Sequence, residues 1–374
     1  MSELDKGAKL KSPDSFKGLV IIVIVMAHIF LATDRASGGV MPPYLQALYL
    51  GLMGFFIISG YFYRSRRGFK ENFLKRFKQI VIPILVATAT LPLFMYLYLN
   101  LLGYGLSIDD WICSIVWECG FGDPFLPVGG EIVDTSLAIV SYGNYYLLTM
   151  VWGFLYFYAI ADRVLDDFRK TFAAIAILLT IAVVVLFLFP VRIPTYPILG
   201  LMGASFMLFG AFLARQNYIE VMESVGKKKT FYLFPAVGLI AGIGMCYILP
   251  PGTGFDMYVF GDHGAFSAYP YFIEASLMFL PIIFIAYLLT KVSVLFTVLS
   301  TVGRHTIAIL LLHPVVLKVM SAPFYEIELV WIMPSVAPMW FKLVAGVIAI
   351  VVCVIAGHYL GKLLVMIQGK LAKE

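Results

Sequence analysis

The chain has 374 residues, of which 61% are hydrophobic and only 13% are charged. An ordinary soluble domain carries about 25% charged residues, so the composition excludes that class and indicates a protein that crosses a membrane several times. The formal net charge of +5 is modest and gives no reason to expect a nucleic-acid partner.

About ten stretches are long and apolar enough to cross a bilayer, for which a helix needs about 20 residues. We therefore predict an all-α polytopic membrane protein with one transmembrane domain at 16–365, between tails at 1–15 and 366–374. A loop at about 103–143 is expected outside the membrane, with a short interfacial helix around Asp109 to Glu118. The spans are predicted at 16–33, 44–63, 79–102, 144–161, 172–189, 197–214, 231–249, 269–290, 303–321 and 341–364.

The distribution of Lys and Arg predicts the orientation of these spans, because basic residues accumulate on the cytoplasmic side. With both termini cytoplasmic, 23 of the 27 basic residues fall in cytoplasmic segments. The exceptions are Arg35, Arg192, Lys318 and Lys342. The loop at 103–143 then lies on the extracytoplasmic side.

The first span is predicted to begin at Ser12-Pro13-Asp14, with Ser12 as N-cap and Pro13 at the first helical position. A polar leader precedes the span, and no small-residue cleavage site follows it. We therefore do not expect a cleaved signal peptide.

Two histidines are the candidate catalytic residues. His28 follows Lys17 by eleven residues, about three helical turns or 16 Å, which places a cation at the membrane edge and an imidazole near mid-bilayer. His313 is expected at a similar depth in the ninth span, where the following Pro314 could open the helix. Imidazole can transfer protons near neutral pH. Alternatively, each ring only hydrogen-bonds to a neighbouring helix.

A basic loop joins the second and third spans, with seven Lys and Arg residues from Arg64 to Lys78. Guanidinium groups bind phosphates through two parallel hydrogen bonds, so Arg64 and Arg67 indicate a cytoplasmic donor that carries phosphate. A loop of this composition is also a common topology signal and attracts anionic lipids. The sequence leaves both interpretations open.

Three further residues are weaker candidates. Glu274 is expected near the outer leaflet, where it could bind an incoming sugar or simply contact interfacial water. Cys113 and Cys119 could form a disulfide in an oxidising compartment or remain unpaired. No metal-ligand spacing is present among Cys, His, Asp and Glu, so no metal site is predicted.

Three short motifs together resemble those of the acyltransferase-3 family of integral-membrane acyltransferases. They are a basic residue ten positions before a histidine in SFKGLVIIVIVMAHIF, an Arg-x-x-Arg after FFIISGYFY, and a glycine followed by an apolar run and a histidine in VGRHTIAILLLHPVV. The motif residues are Lys17 and His28, Arg64 and Arg67, and Gly303 and His313. The first motif usually begins with arginine, and Lys17 resembles the fucose O-acetylase-like and polysaccharide-modifying members.

The resemblance implies O-acyl transfer, with acetyl as the expected group, from cytoplasmic acetyl-CoA or another acyl-CoA. The acceptor would be a hydroxyl of an extracytoplasmic sugar or cell-surface polysaccharide, and the protein would lie in a bacterial inner membrane. Lys17, Arg64 and Arg67 would hold the coenzyme A phosphates. His28 would act as general base or as nucleophile, and His313 would orient the acceptor or share the proton.

An exporter or flippase of a glycan or lipid-linked sugar is the alternative. Such a transporter is expected to show intramembrane carboxylates and repeated halves with broken helices. The principal candidate carboxylate is Glu274, and no repeat is visible in the sequence.

Overall fold

The protein is described by a computed structural model, and its described part is almost entirely helical. The structure describes residues 10–36, 50–63, 68–120, 125–128, 131–134, 144–188, 193, 195–225, 232–248, 268–324 and 338–371. The helices in these ranges are α1 (Ser12–Ala36), α2 (Gly54–Tyr61, after a 3₁₀ turn at Leu50–Met53), α3 (Phe69–Leu101), α4 (Ile108–Gly120), α5 (Asn144–Val164), α6 (Phe168–Leu188) and α7 (Pro197–Arg215). They continue with α8 (Tyr218–Val225), α9 (Leu233–Ile248), α10 (Ala268–Leu289), α11 (Ser293–Arg304), α12 (Thr306–Ser321) and α13 (Met339–Leu371).

The helices confirm an all-α polytopic membrane protein. Within the described ranges, 7 helices are long and apolar enough to cross a membrane, or 8 if α11 and α12 are counted as one broken span. The shorter apolar helices Gly51–Tyr61 and Leu233–Gly244 coincide with the other two predicted spans. Every one of the ten predicted stretches therefore contains an apolar helix.

The predicted interfacial helix is present as α4, in the loop at 103–143. Its apolar side chains Ile108, Ile112 and Val116 are exposed and recur every four residues on one face, as expected for a helix that lies on a membrane surface. The side chains of Cys113 and Cys119, which belong to the same segment, lie outside the described residues. Both alternatives for them, a disulfide or unpaired thiols, therefore stay predictions.

A small β-hairpin in the same loop was not predicted. Its strands β1 (Phe125–Val128) and β2 (Glu131–Asp134) are antiparallel, with Phe125 opposite Asp134 and Val128 opposite Glu131. Each strand has four residues, too few to give a clear alternating pattern in the sequence.

The centre of the bundle is formed by α1, α7 and α10, which are mostly buried. α1 packs against α10, α11, α12 and α13, and α7 packs against α2, α5 and α6. The outer helices expose large apolar side chains such as Leu97, Phe187 and Val347, which suits contact with lipid.

Two glycines allow α1 and α11 to cross in backbone contact. A Cβ added at Gly18 would overlap the carbonyl oxygen of Leu299, and one added at Gly303 would overlap the carbonyl oxygen of Asp14. Small residues at such crossings let membrane helices approach closely. The crossing fixes α11, and the chain that follows it, against the start of α1.

The predicted ninth span at 303–321 is wrong at its start, because the chain bends by 82° between α11 and α12. His305 leaves the helical conformation at the bend (φ −104°, ψ 18°), and its Nδ1 donates to the carbonyl oxygen of Thr301 at 2.8 Å. Pro314 does not open the helix as expected, since it lies within α12. The bend directly follows the point where Gly303 of α11 approaches Asp14 of α1, a contact that the proline pattern does not reveal.

The short helix α8 joins the ends of several helices. Glu223 accepts hydrogen bonds from the backbone N–H of Lys11 (3.0 Å) and Ser12 (2.8 Å) and from the Ser12 hydroxyl (2.6 Å). The Tyr61 hydroxyl donates to Glu220 and accepts from the backbone N–H of Ile219 (2.9 Å). We call this end of the bundle, with Lys11, Tyr61 and α8, the basic end, which the sequence predicts to be cytoplasmic.

The start of α1 at Ser12 is confirmed, but Ser12 does not act as the predicted N-cap. Its hydroxyl donates to Glu223 instead of accepting from the first turn of α1. A carboxylate from a distant segment therefore satisfies the first backbone donors of α1. A local capping pattern cannot identify such a partner.

Candidate functional site

His28 and His313 are in direct contact, which confirms that they lie at one depth. His28 Nδ1 lies 2.9 Å from His313 Nε2. The rings are parallel within 6°, with centroids 5.1 Å apart. With the facing nitrogens this close, the rings lie edge to edge and share a hydrogen bond rather than stacking face to face.

The second nitrogen of His313 determines the tautomers of the pair. His313 Nδ1 lies 2.6 Å from the carbonyl oxygen of Ile309, which can only accept, so Nδ1 carries the proton. In a neutral His313, Nε2 then accepts the hydrogen bond that His28 donates through Nδ1. A neutral His28 therefore carries its lone pair on Nε2, the nitrogen of a general base or nucleophile.

The two rings differ in exposure. His313 is fully buried, and His28 is partly exposed. The arrangement therefore has an accessible imidazole oriented by a buried one. This is the relationship between a reacting base and the group that positions it.

A cavity of about 400 Å³ lies between α1, α2, α3, α5, α12, α13 and the end of α11. Its wall includes Lys17, Arg76, Arg304 and His305 near the basic end. Further along α12 the wall reaches Leu310, one helical turn before His313. Further wall residues are Phe55, Ile58, Ser59, Gln79, Pro83, Tyr146, Leu147 and Met150.

The predicted cofactor-binding residue Lys17 lies in the cavity wall. Its Nζ is 2.8 Å from Asp14 Oδ1, three residues earlier on α1. The lysine charge is therefore balanced by a carboxylate, and an anionic ligand would have to compete with Asp14 for it.

Arg64 and Arg67, the other predicted cofactor-binding residues, lie outside the described residues. The preceding Tyr63 is anchored, because its hydroxyl donates to Asp162 Oδ1 at 2.6 Å. A tyrosine hydroxyl ordinarily ionises only at about pH 10, so it donates this hydrogen bond as a neutral group at physiological pH.

Glu274, the predicted substrate-binding residue, lies in the interior. It is fully buried in α10 and is not part of the cavity wall. The alternative of a carboxylate in contact with interfacial water is therefore wrong. Among the described residues, no group of three or more His, Cys, Asp and Glu side chains could hold a metal ion.

Sequence reasoning did not identify Arg76, Arg304, Gln79 and Ser59 as cavity residues. Arg76 belongs to the basic stretch after Arg67, and Arg304 lies inside the third motif. Nothing in their spacing separates them from other basic residues near helix ends. Only the folded arrangement brings α3 and the bend before α12 to one cavity.

Comparison with known proteins identifies one family. A model of the acyltransferase-3 family, described as an acyltransferase domain, matches residues 10–358. The match includes both histidines and every residue of the cavity wall up to Gly357. No curated protein and no solved structure gave a match.

Proposed function

Because the chain belongs to the acyltransferase-3 family, we propose that this membrane acyltransferase is an O-acyltransferase for sugars. It moves an acyl group, in the first place acetyl, from cytoplasmic acyl-CoA to a hydroxyl of an extracytoplasmic sugar or cell-surface polysaccharide. Its place would be a bacterial inner membrane. The family membership supports acyl transfer in general, and the donor, the acceptor and the sidedness are our proposal.

The observation that carries the proposal is the hydrogen bond between His28 and His313. Transfer to a hydroxyl needs a base that removes the hydroxyl proton as the oxygen attacks. His28 has the lone pair on Nε2 and is partly exposed, and His313 is held by Ile309. The pair supplies a base of defined tautomer at the level that the cavity approaches.

The chemistry follows from these positions. His28 Nε2 takes the proton of the acceptor hydroxyl, and the oxygen attacks the thioester carbonyl carbon. The C–S bond breaks, the ester forms, and the coenzyme A thiolate takes the proton from His28. While His28 is charged, its Nδ1–H still donates to His313, which stabilises the imidazolium without a second proton transfer.

The cavity supports a donor that enters from the basic end. Its wall changes from charged side chains to apolar ones such as Phe55, Leu147 and Leu310, which suits a charged head with a flexible, uncharged thioester arm. Lys17, Arg64 and Arg67 are proposed to contact the phosphates, as the family motifs imply. Replacing Arg64 and Arg67 together by Gln should weaken acetyl-CoA binding, and unchanged binding would leave that stretch as a topology signal only.

Glu274 is proposed as a substrate contact on the extracytoplasmic side, and its complete burial requires that the acceptor reach it between helices. Glu274→Gln should then raise KM for the acceptor and leave KM for acetyl-CoA unchanged. A raised KM for acetyl-CoA with an unchanged KM for the acceptor would show that Glu274 is not part of the acceptor site.

The 82° bend between α11 and α12 is of a kind also found in transporters. The family model nevertheless describes an acyltransferase domain over most of the chain, and the two histidines form a hydrogen-bonded pair suited to proton transfer. We therefore favour the enzyme over the exporter or flippase.

The proposal is tested in proteoliposomes of uniform orientation. Acetyl-CoA labelled in its acetyl group is supplied on the side of the basic end, and p-nitrophenyl glycosides are supplied on the other. We expect labelled ester on the glycoside, lost in His28→Ala. Glycoside that crosses the bilayer without acylation, in a protein shown to be folded, would favour the transporter.

A further inference from the structure

Two arginines in the cavity wall have no assigned role. Arg76 comes from α3, and Arg304 is the last residue of α11. Among the described wall residues there is no Asp or Glu. Neither arginine forms an ion pair with a carboxylate in the part of the chain that the structure describes.

Neutral groups hold both guanidinium groups in place. Arg76 lies over the Phe154 ring, 5.7 Å from its centroid, and donates through Nη1 to Gln79 Oε1 at 3.1 Å. Arg304 donates through Nε to the carbonyl oxygen of Ser300 at 3.1 Å. These contacts orient the side chains without neutralising their charge, and each guanidinium has five N–H donors. Both arginines therefore retain charge and donors for an anion.

Lys17 provides the contrast on the same wall. Its charge is balanced by Asp14 at 2.8 Å, whereas the two arginines have no such partner among the described residues. Arginine also binds phosphate oxygens through two parallel hydrogen bonds, which lysine cannot form. Of the cations on this wall, Arg76 and Arg304 are the better suited to phosphate.

We propose that Arg76 and Arg304, termed the arginine pair, bind the diphosphate of the acyl-CoA donor inside the cavity. This assignment uses residues other than Arg64 and Arg67, and it rests on the proposed function. Thr306 opens α12 just after Arg304 and precedes His313 by seven residues, about 10 Å of helix. The uncharged arm of the donor would cross that distance with its thioester towards the histidines.

The polar groups between the two levels agree with this orientation. Gln79 lies one turn after Arg76 on α3, and Ser59 lies on the facing helix α2. Beyond them the wall is formed by Phe55, Leu147 and Leu310. The amides of the arm would find polar partners midway, and the acyl group would reach the apolar end.

The test is equilibrium binding to the protein in nanodiscs with three ligands: acetyl-CoA, acetyl-dephospho-CoA, and acetyl-pantetheine, which lacks every phosphate. Arg76→Gln and Arg304→Gln should each weaken acetyl-CoA binding roughly tenfold or more, as expected for the loss of hydrogen bonds to a charged group. Binding of acetyl-pantetheine should not change. Acetyl-dephospho-CoA, which keeps the diphosphate, should lose affinity in the two variants by the same factor as acetyl-CoA.

Lys75→Gln and Lys78→Gln are the matched controls, because both lysines are exposed on α3 beside Arg76 and neither lines the cavity. Their acetyl-CoA affinity should remain near that of the wild type. An equal loss of acetyl-CoA affinity in the controls would mean that the summed positive charge of the basic end attracts the ligand. That result would overturn the assignment of the diphosphate to the arginine pair. A loss that extends to acetyl-pantetheine would show distortion of the cavity and would also overturn it.

Failure of this inference can be told apart from failure of the proposed function. If the wild type transfers acetyl groups in a His28-dependent manner while Arg76→Gln and Arg304→Gln bind acetyl-CoA normally, only the arginine pair is wrong. If the folded wild type binds no acetyl-CoA, the proposed function is wrong and the arginine pair with it.

Discussion

His28 Nδ1 and His313 Nε2 lie 2.9 Å apart although 285 residues separate them in the chain. The contact joins the first spanning helix to the helix that follows the sharp bend at His305. His313 is fixed on its other side by the carbonyl oxygen of Ile309. One backbone carbonyl thus sets the tautomer of His313 and, through it, that of His28.

Removing the orienting ring should reduce the rate without removing the base. In His313→Leu, His28 loses the acceptor of its Nδ1 proton, so the lone pair is no longer confined to Nε2. We expect kcat to fall roughly 10²-fold to 10⁴-fold, with KM for acetyl-CoA largely unchanged. Steady-state kinetics measures both. His358→Leu is the control, because the His358 side chain is exposed on α13, and it should keep the wild-type kcat. A normal kcat in His313→Leu would refute the positioning role.

The crossing of α1 and α11 predicts that two glycines cannot be enlarged. In Gly303→Ala the new methyl group would overlap the backbone of α1 at Asp14, and overpacking of this kind costs about 1–3 kcal/mol. Thermal unfolding in detergent should show a lower midpoint. Gly244→Ala is the control, because a Cβ there meets no atom within 4 Å. Its midpoint should stay the same or rise, and an equal loss in both variants would argue against the crossing.

The hydrogen bonds that Glu223 accepts should stabilise the start of α1. Glu223→Ala would leave the backbone N–H groups of Lys11 and Ser12 without this acceptor, which should cost about 1–2 kcal/mol, as for the loss of a helix cap. Hydrogen exchange followed by mass spectrometry should show faster exchange at residues 11–15. Ser224→Ala, whose hydroxyl bonds only within α8, should exchange like the wild type. Unchanged exchange in Glu223→Ala would mean that α8 does not hold α1.

The sequence predicted those features that depend on hydrophobic length and periodicity. Runs of about 20 apolar residues predicted the helices. The common depth of His28 and His313 was also predicted and is confirmed by their contact, although the helix that carries His313 begins three residues later than expected. Depth along a helix follows directly from its rise per residue.

Features that depend on contacts between distant segments could not be predicted. The bend at His305 directly follows the crossing of α11 and α1, and the cap on α1 comes from Glu223, 211 residues away. Arg76 and Arg304 line one cavity only because the first turns of α3 and the end of α11 lie beside it. Basic residues near helix ends are common in membrane proteins, so the sequence alone does not distinguish a ligand-binding arginine from a topology signal.

Coenzyme A release from acetyl-CoA by the purified protein in nanodiscs, compared with release by His28→Ala, tests whether His28 is the base of an acyl transfer. We expect release by the wild type, stimulated by a glycoside acceptor, and none above background in His28→Ala of the same folded content. Equal release by both proteins would contradict the role of His28 as the base. A folded wild type that releases no coenzyme A with any acceptor would contradict acyl transfer from this donor.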